Sequence, residues 1–335
     1  MPGLSVPLAL AAVATVVIWQ GSKYFERAAE RLSLHYGLPV AVHGAIVVAV
    51  GPSFPEISSI VISTVLHGDF SLGVGAIVGS ALFNLLVIPA LSAFSSRELE
   101  STRDIVHKDA QFYLISVLVL FIVFALGATY VPGGTNSAAT LTPTLVVLPL
   151  AVYGVYVFLH QQDASEHVAP GSSGVRPLRE WGTLAVALLV IAVGVEGIVR
   201  AALSLGDLFG TPTFLWGRTV IAAGTSLPDA FVSVQAAQTG DSVTSLTNVR
   251  GSNTFNLLVA IPVGVLLAGS ATINFLVAIP TMGFLAFVSL VFVVFIRTHL
   301  ELTDREAYGF LGLYAPFLRW MTLESTGVIE TVQGI

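Results

Sequence analysis

Two polar stretches in an otherwise apolar chain carry the residues that could bind a cation. The second stretch, residues 224–256, reads GTSLPDAFVSVQAAQTGDSVTSLTNVRGSNTFN and combines a carboxylate with hydroxyls, amides, a proline and three glycines. Hydrocarbon tolerates such a run only where its polar groups find partners or line a cavity. Carbonyl, hydroxyl, amide and carboxylate oxygens are the ligands that hard cations prefer. The stretch therefore predicts a cation site within a membrane.

The first stretch, residues 51–84, reads GPSFPEISSIVISTVLHGDFSLGVGAIVGSALFN and matches the second in register. Glu56 falls on Asp229, and both acids end the same Gly-x-Ser-x-Pro-acid motif. After a slip of one residue, the Gly-Ser-x-x-Phe-Asn run that ends at Asn84 falls on the run that ends at Asn256. Chance similarity between apolar helices seldom matches Gly, Pro, Ser, Asn and an acid together. The chain is therefore predicted to contain an internal duplication.

Composition places the chain in a membrane. Of its 335 residues, 55% are hydrophobic and 10% are charged, and the mean hydropathy is +0.86. These values exclude an ordinary soluble domain and make the lipid bilayer the expected surrounding. The absence of cysteine excludes disulfides and thiolate metal sites. The formal net charge of -6, without a basic cluster, argues against nucleic acid as a partner.

Ten apolar segments approach or exceed the ~20 residues that a bilayer core requires. They lie at roughly 4–22, 39–66, 72–95, 110–130, 142–160, 181–203, 213–237, 245–269, 273–296 and 306–321. Because each copy has five segments, an odd number, the second copy enters the membrane from the opposite side. The predicted fold is all-α and polytopic, with about ten transmembrane helices in two inverted five-helix repeats. This arrangement recurs in secondary transporters.

The connections between the segments predict boundaries and orientation. We expect a first repeat at 1–160, a linker rich in Gly, Ser and Pro at 161–179, a second repeat at 180–321 and a tail at 322–335. Basic residues concentrate in the connections on one side of the ten-helix arrangement, which the positive-inside rule makes cytoplasmic. The sequence predicts a multi-pass protein of the cell membrane, with a cytoplasmic linker, extracellular termini and function as a monomer.

The repeated motif is expected to break the second and seventh helices. Pro55 and Pro228 each remove a backbone donor and crowd the preceding turn, and the motif glycine weakens the helix further. The released carbonyls could bind a cation. Glu56 and Asp229, which converge from the two copies, could hold a divalent cation between them.

Eight oxygen-bearing side chains are expected around the centre of this site. They are Glu56, Asp229, Ser53, Ser226, Ser80, Ser252, Asn84 and Asn256. For each serine and asparagine a structural role is the alternative, because hydroxyls bond to carbonyls of the preceding turn and amides cross-link helices. The paired acids favour a functional role more strongly.

The motifs resemble those of a known family. GTSLPD followed by GSNTFN, and GPSFPE followed by GSALFN, are similar to the two repeat motifs of the sodium/calcium exchanger family, in the cation/calcium antiporter superfamily. The resemblance covers both halves and is to the prokaryotic minimal form. It implies ten helices, with the second, third, seventh and eighth around sites that bind Na+ and Ca2+ alternately. HGDFSLGVGAIVGSALFN also resembles the potassium-dependent branch, but Asn256 replaces an aspartate there, which favours potassium independence.

The resemblance also implies residue roles. Glu56 and Asp229 would be the shared ligands of Ca2+ and Na+. The implied Na+ ligands are Ser53, Ser226, Ser80 and Ser252, and the residues lining the middle of the site are Asn84 and Asn256. Backbone carbonyls would complete the shells at Ala49, Pro52, Ala222 and Thr225. Pro52 departs from the usual threonine and lacks its hydroxyl, and Asp229 is shorter than the usual glutamate.

The predicted function is antiport of Na+ against Ca2+ by alternating access. The chain is then a transporter and not an enzyme, its bound ions are the transported Ca2+ and Na+, and no cofactor is expected. The alternative is Ca2+/H+ exchange on the same fold, with protons on Glu56 and Asp229, although the four serines favour Na+. An intramembrane aspartyl protease would need Tyr-Asp and Gly-x-Gly-Asp motifs, which the chain lacks. A channel is disfavoured because two acids would hold Ca2+ too long for fast permeation.

Two arginines near the motifs conflict with a simple cation site. Arg250 is two residues before Ser252, about 200° around a helix, so we expect it to point away from the ions. It then makes a structural pairing or acts as a tethered cation that lowers the number of ions bound. Arg218 is expected to reach the outer interface. Glu196 and Arg200, four residues apart, are expected to pair.

Overall fold

A computed structural model of the chain describes residues 2–36, 51–96, 99–100, 110–131, 138–163, 176–297, 301–325 and 328–329. Within these ranges the protein is helical, apart from two short ribbons of paired strands. Six helical stretches are long and apolar enough to cross a membrane. They are Gly3–His35, Phe70–Ser95, Ala110–Tyr130, Pro177–Phe209, Ser242–Ala268 and Ala278–Arg297. The predicted class, an all-helical multi-pass membrane protein, is confirmed.

The helices coincide with the predicted apolar segments. The first half contains α1 (Pro2–His35), α2 (Phe54–Val65), α3 (Phe70–Leu86), α4 (Ile88–Ser95), β1 (Leu99–Glu100), α5 (Ala110–Tyr130), β2 (Ala138–Leu141) and α6 (Pro143–Asp163). The second half contains α7 (Pro177–Phe209), α8 (Thr213–Trp216), a π-helical turn (Gly217–Ile221), α9 (Ala222–Gln238), α10 (Ser242–Phe255), a second π-helical turn (Asn256–Ala260), α11 (Ile261–Ala268), β3 (Ala271–Asn274), α12 (Phe275–Arg297), β4 (Glu301–Leu302) and α13 (Asp304–Ser325). The predicted segment 39–66 is described from Gly51 onward.

Helices α1 and α7 are longer than the apolar segments predicted at 4–22 and 181–203. They have 34 and 33 residues, or about 50 Å at 1.5 Å per residue, against a hydrocarbon core of about 30 Å. Hydropathy marks only the apolar part of a helix. The added turns of α1 carry Lys23, Arg27 and Arg31, which were expected in a connection.

The two long helices pack along one another through small residues. A Cβ atom added at Gly21 would lie 2.7 Å from Ile191, and one added at Gly194 would lie 2.7 Å from Ile18. At the charged end of the pair, Arg31 donates to Glu180 over 3.2 Å. The close approach makes α1 and α7 one tightly packed pair.

The predicted pairing of Glu196 with Arg200 is confirmed and extends to a third residue. Arg200 Nε donates to Glu196 Oε1 over 2.5 Å, and His67 Nε2 lies 2.9 Å from Glu196 Oε2. His67 follows the end of α2. The cluster therefore ties the α2–α3 connection to α7.

Helix α3 is the centre of the main hydrophobic core. Fifteen of its 17 residues are buried, as expected for a helix that is apolar on all sides. Buried side chains of α5, α11, α12 and α13 belong to the same core, among them Phe124, Val265 and Phe292. The polar residues Ser80 and Asn84 are thus held in a helix that is packed on every face.

Two antiparallel ribbons join the halves of the chain. β1 pairs with β4, with Leu99 opposite Leu302, and β2 pairs with β3, with Ala138 opposite Asn274. Strands of two and four residues leave no period-2 signal that the sequence analysis could detect.

The connections before α3 and α10 have the same design. Gly68 and Gly240 adopt positive φ angles of 64° and 83°, a conformation that glycine enters at little cost. The following residue caps the next helix: Asp69 accepts from the Leu72 amide and Asp241 from the Thr244 amide. Both carboxylates also compensate the positive helix end.

Removing these caps should destabilise the protein by unequal amounts. We expect Asp241→Ala to lower the free energy of unfolding by about 1 kcal/mol, the usual value of an N-cap. Asp69→Ala should cost about 2 kcal/mol, because Asp69 also accepts from Thr213 Oγ1 over 2.5 Å. Thermal unfolding in detergent measures both, with the exposed Asp207→Ala as control. Equal losses would contradict a second role for Asp69.

Candidate cation site

The two motif acids lie on two helices that meet inside the protein. Glu56 is in the first turn of α2, after a turn at residues 51–53, and Asp229 lies in the middle of α9. Both carboxylates are fully buried. The structure therefore brings together two acids that are 173 residues apart in the chain, from 229 minus 56.

The predicted break at Pro228 is wrong in its position. Helix α9 continues through Pro228, and the irregular turn lies earlier, at Gly217–Ile221. There the Ala222 amide donates to the Gly217 carbonyl, five residues back. One missing donor does not end a helix that is packed on several sides, and a wide turn upstream accommodates the distortion.

Each acid accepts a hydrogen bond from the serine of its own copy. Ser80 Oγ donates to Glu56 Oε1 over 3.2 Å. In the second copy, Ser252 Oγ donates to Asp229 Oδ2 over 2.7 Å. The predicted grouping of acid and serine is therefore present in both copies.

The serines also bridge the two copies. Ser53 Oγ donates to Ser252 Oγ over 2.8 Å, and Ser80 Oγ lies 2.6 Å from Ser226 Oγ. In the matched motifs Ser53 corresponds to Ser226 and Ser80 to Ser252. Exchanging the copies therefore converts one contact into the other, as a two-fold relation between the motifs would require.

Helices α3 and α10 cross at a pair of amides. Asn84 Nδ2 donates to Asp229 Oδ2 over 3.0 Å and to Asn253 Oδ1 over 3.1 Å. Asn253 Nδ2 in turn donates to the Ala81 carbonyl over 3.1 Å. Sequence analysis missed Asn253, because Ala81 occupies its place in the first copy. Its position inside the GSNTFN motif was the available signal.

Asn256 does not reproduce the contact of its counterpart Asn84. Among the described residues, neither its Oδ1 nor its Nδ2 has a hydrogen-bond partner, although the side chain is buried. The second copy reads FNLLVAIP where the first reads FNLLVIP. The additional residue, Ala260, is accommodated in the turn Asn256–Ala260, where the Ile261 amide donates to the Asn256 carbonyl.

The positions predicted to contribute backbone carbonyls are partly described. Pro52, Ala222 and Thr225 are buried, and Ala49 lies outside the described residues. Thr225 Oγ1 donates to the Ile221 carbonyl over 3.1 Å. Its hydroxyl therefore makes a bond within the helix, as threonines in membrane helices commonly do.

Four buried side-chain oxygens of the predicted site accept no hydrogen bond from the described residues. Within the described part of the chain no hydrogen bond reaches Glu56 Oε2, Asp229 Oδ1, Asn84 Oδ1 or Asn256 Oδ1, all of them buried. An unpaired buried acceptor costs about 1–3 kcal/mol, and more if it is charged. A hard cation takes carboxylate and amide oxygens as ligands, so these four oxygens are suitable ligands for a cation.

Comparison with known proteins identifies the family. The family model described as sodium/calcium exchanger protein matches residues 6–160 and 179–323. The chain belongs to the sodium/calcium exchanger family. This confirms the resemblance seen in the motifs.

Relatives of this family member cover most of its length. The sodium/calcium exchanger MaX1 of Methanosarcina acetivorans is 24% identical over 336 residues, which span 90% of this chain and 95% of that protein. Sodium/potassium/calcium exchanger 2 of Rattus norvegicus is 29% identical over 59% of this chain and 29% of that protein. The solved sodium-calcium exchanger NCX_Mj, soaked with 2.5 mM Na+ and 1 mM Sr2+, superposes with a TM-score of 0.64 at 22% identity, covering 93% of this chain and 97% of that one. It has the same fold.

The prediction that Arg218 reaches the outer interface is wrong. In this exchanger-family chain Arg218 is 1% exposed, and its Nη1 donates to Thr281 of α12. The guanidinium lies 5.1 Å from the Phe214 ring centre and 5.7 Å from that of Trp320, and Trp320 Nε1 donates to the buried carboxylate of Glu324. Ring faces attract a cation most strongly where water is absent. Residues of α12 and α13, far from Arg218 in the sequence, therefore stabilise its buried charge.

Arg250 is also buried and makes a backbone contact. Its Nε donates to the Leu246 carbonyl, four residues earlier, over 2.9 Å. This contact runs along α10 toward the preceding turn. A role for Arg250 in setting the number of ions bound stays a prediction.

Proposed function

We propose that this chain exchanges Na+ for Ca2+ across the cell membrane as a secondary antiporter. The observation that carries the proposal is the pair of fully buried carboxylates, Glu56 and Asp229, each with one oxygen that accepts no hydrogen bond from the described residues. A buried carboxylate needs either a compensating cation or a proton that neutralises it. Membership of the sodium/calcium exchanger family, and the relationship to MaX1, support Na+ and Ca2+ as the compensating ions.

The remaining polar groups would complete the ion shells. The serine hydroxyls donate to one another or to the acids and keep lone pairs with which to coordinate Na+. The proposed ligands beyond the two acids are Ser53, Ser226, Ser80 and Ser252, the side chains of Asn84 and Asn256, and the carbonyls of Ala49, Pro52, Ala222 and Thr225. Pro52 can contribute only its carbonyl, because it has no hydroxyl.

Exchange would follow from competition for the two acids. Ca2+ needs both Glu56 and Asp229, and Na+ ions bound by the same carboxylates and the neighbouring serines would displace it. If the protein changes its facing only when loaded, entry of Na+ is coupled to export of Ca2+. The Na+ gradient then supplies the free energy for Ca2+ export.

We also propose that the site lies between two inverted five-helix repeats, at 1–160 and 180–321, joined by the linker 161–179 and followed by a tail at 322–335. The exchanged pairs of serine contacts support a two-fold relation. The ribbons give independent support, because paired strands must lie on one side of the membrane. In the ten-helix count both connections of the β1–β4 ribbon are cytoplasmic, and both connections of the β2–β3 ribbon are extracellular.

The ten-helix arrangement also gives the proposed orientation of the protein in the membrane. Both termini would be extracellular and the linker cytoplasmic, and one copy would suffice for transport, because both acids come from one chain. The basic residues Lys23, Arg27 and Arg31 at the end of α1 support a cytoplasmic position for that end.

Calcium uptake into proteoliposomes tests the proposal. Vesicles loaded with Na+ and diluted into Na+-free medium should accumulate Ca2+ well above protein-free vesicles. Na+-free vesicles with an imposed pH gradient should not, since protons need no serine shell. Uptake driven only by the pH gradient would replace the proposal with Ca2+/H+ exchange on the same fold. The absence of uptake in both conditions would overturn both.

A further inference from the structure

Helices α1 and α9 leave an apolar cleft between them. Its volume is about 350 Å³, and its walls include Val16 and Trp19 of α1 and Leu227, Ala230 and Phe231 of α9. Val16 is 55% exposed, and Leu227 and Phe231 are exposed as well, so in a bilayer the cleft opens toward lipid. An apolar cavity of about 150 Å³ is enough to hold benzene. The cleft therefore has room for part of a hydrocarbon chain.

The walls of the cleft offer nothing to a polar occupant. The lining that the structure describes exposes no polar surface. Its one hydroxyl belongs to Thr15, whose Oγ1 donates to the Ala11 carbonyl over 2.8 Å. A polar peptide or a hydrated ion would lose its water without replacement, whereas an acyl chain would not.

A basic residue lies against two rings of the cleft. Lys23 Nζ lies 3.7 Å from the ring centre of Trp19 and 4.5 Å from that of Phe231. These rings contact edge to face, with centres 5.5 Å apart. Val16, Lys23 and Arg27 are seven and four residues apart, so they lie along one stripe of α1. The stripe begins in the apolar cleft, becomes basic at Lys23 and Arg27, and reaches Glu30 one heptad after Lys23.

A carboxylate of α1, that of Glu26, also lies on the side that faces the cleft. Glu26 lies seven residues after Trp19, on the stripe that faces α9, and it is close enough to Asp229 to interact with it electrostatically. It also lies within electrostatic reach of Lys23 and Arg27. Glu30, seven residues after Lys23, also lies within electrostatic reach of Glu26, so two acids accompany the two basic residues. The headgroup contact therefore rests on Lys23, whose ammonium group lies over the two rings of the cleft.

We propose that this cleft binds an anionic phospholipid of the bilayer, with one acyl chain between α1 and α9 and its phosphate at Lys23. The apolar walls suit a hydrocarbon chain. The ammonium group of Lys23, which lies over two rings, attracts the negative charge of the headgroup. Leu227 and Ala230 directly follow Ser226 and Asp229 in the sequence, so the lipid packs against the helix that carries four of the candidate ion ligands. The inference does not depend on which ions the protein carries.

Lipid titration of the full-length protein in detergent, read by native mass spectrometry, tests the headgroup contact. Wild-type protein should retain one phosphatidylglycerol with about fivefold higher affinity than phosphatidylcholine, the usual effect of one basic residue near anionic lipid. Lys23→Gln should remove this preference. Arg305→Gln, an equal change of charge at an exposed position on α13, should keep it. If Lys23→Gln retains the preference, the phosphate does not bind at Lys23 and the proposal fails.

A second variant tests the acyl chain. Val16→Trp fills the cleft and should remove the retained lipid of either headgroup. Val193→Trp makes the same change on α7 at a position that is 70% exposed and outside the cleft, and it should retain the lipid. Unchanged lipid binding by Val16→Trp would overturn the proposal. The proposal would also be overturned if Val16→Trp converted a dimer to a monomer, because the cleft would then be covered by a second copy of the protein and not by lipid. If Val16→Trp fails to fold, Lys23→Gln still decides.

Discussion

Asp229→Asn is expected to abolish Na+-driven Ca2+ uptake, and Glu56→Gln is expected to do the same. Each substitution keeps the size of the side chain and removes one full negative charge from a site without contact with water. Removing one partner of a buried ionic contact costs about 3–5 kcal/mol, which corresponds to Ca2+ binding that is weaker by more than about 100-fold. Na+-driven Ca2+ uptake into proteoliposomes should disappear, and calorimetric titration should show the weaker Ca2+ binding.

Asp241→Asn is the matched control. It makes the same acid-to-amide change in the second copy, at the residue that caps α10 outside the site. We expect uptake and Ca2+ binding to persist in this variant. Full Ca2+ binding by Asp229→Asn would show that the ion is held elsewhere and would contradict the proposed site.

Gly79→Ala should impair folding and transport together. A Cβ atom at Gly79 would lie 2.3 Å from the Arg218 carbonyl oxygen and 2.5 Å from its Cα, and one at Gly217 would lie 2.2 Å from the Leu72 carbonyl oxygen. These are backbone atoms, so rotation of a side chain cannot relieve the clash. Overpacking of this kind costs about 1–3 kcal/mol. Separation of the segments would also displace Ser80, the next residue, from Glu56.

Thermal unfolding in detergent and Ca2+ uptake measure this effect, with Gly283→Ala on α12 as the comparison. A Cβ atom at Gly283 meets nothing within 4 Å. Because alanine is favoured over glycine within a helix by about 1 kcal/mol, this variant should be at least as stable as the wild type. If Gly79→Ala is equally stable and active, the helices do not approach each other as closely as described.

The sequence was sufficient for the features that repeat. Apolar composition predicted the membrane class, and the matched motifs predicted that Glu56 and Asp229 would meet with their serines, because equivalent residues of two related copies converge at the axis between them. Asn253 was missed for the same reason, since its counterpart Ala81 offers no side-chain oxygen. A search for matched polar residues overlooks a contact that only one copy makes.

Features that depend on distant elements could not be predicted. The burial of Arg218 rests on Thr281 and Trp320, which come from two helices later in the chain. The ends of α1 and α7 extend beyond the apolar segments, because charged residues can continue a helix that hydropathy no longer marks. The ribbons pair strands that are too short to carry a pattern of their own.

The two π-helical turns occur only in the second half of the described chain, and the later one bears on how the two copies align. Asp229 follows Glu56 by 173 positions, Asn256 follows Asn84 by 172, and Pro262 follows Pro89 by 173 again. Relative to the first copy, the second copy has one residue fewer in the connection before α10 and one more, Ala260, after it. The two differences cancel, so the flanks of the segment match between the copies at the same offset of 173 residues. The difference in register between the copies is thereby confined to α10 and the π-helical turn after it, which begins at Asn256, the residue that does not make the contact of Asn84.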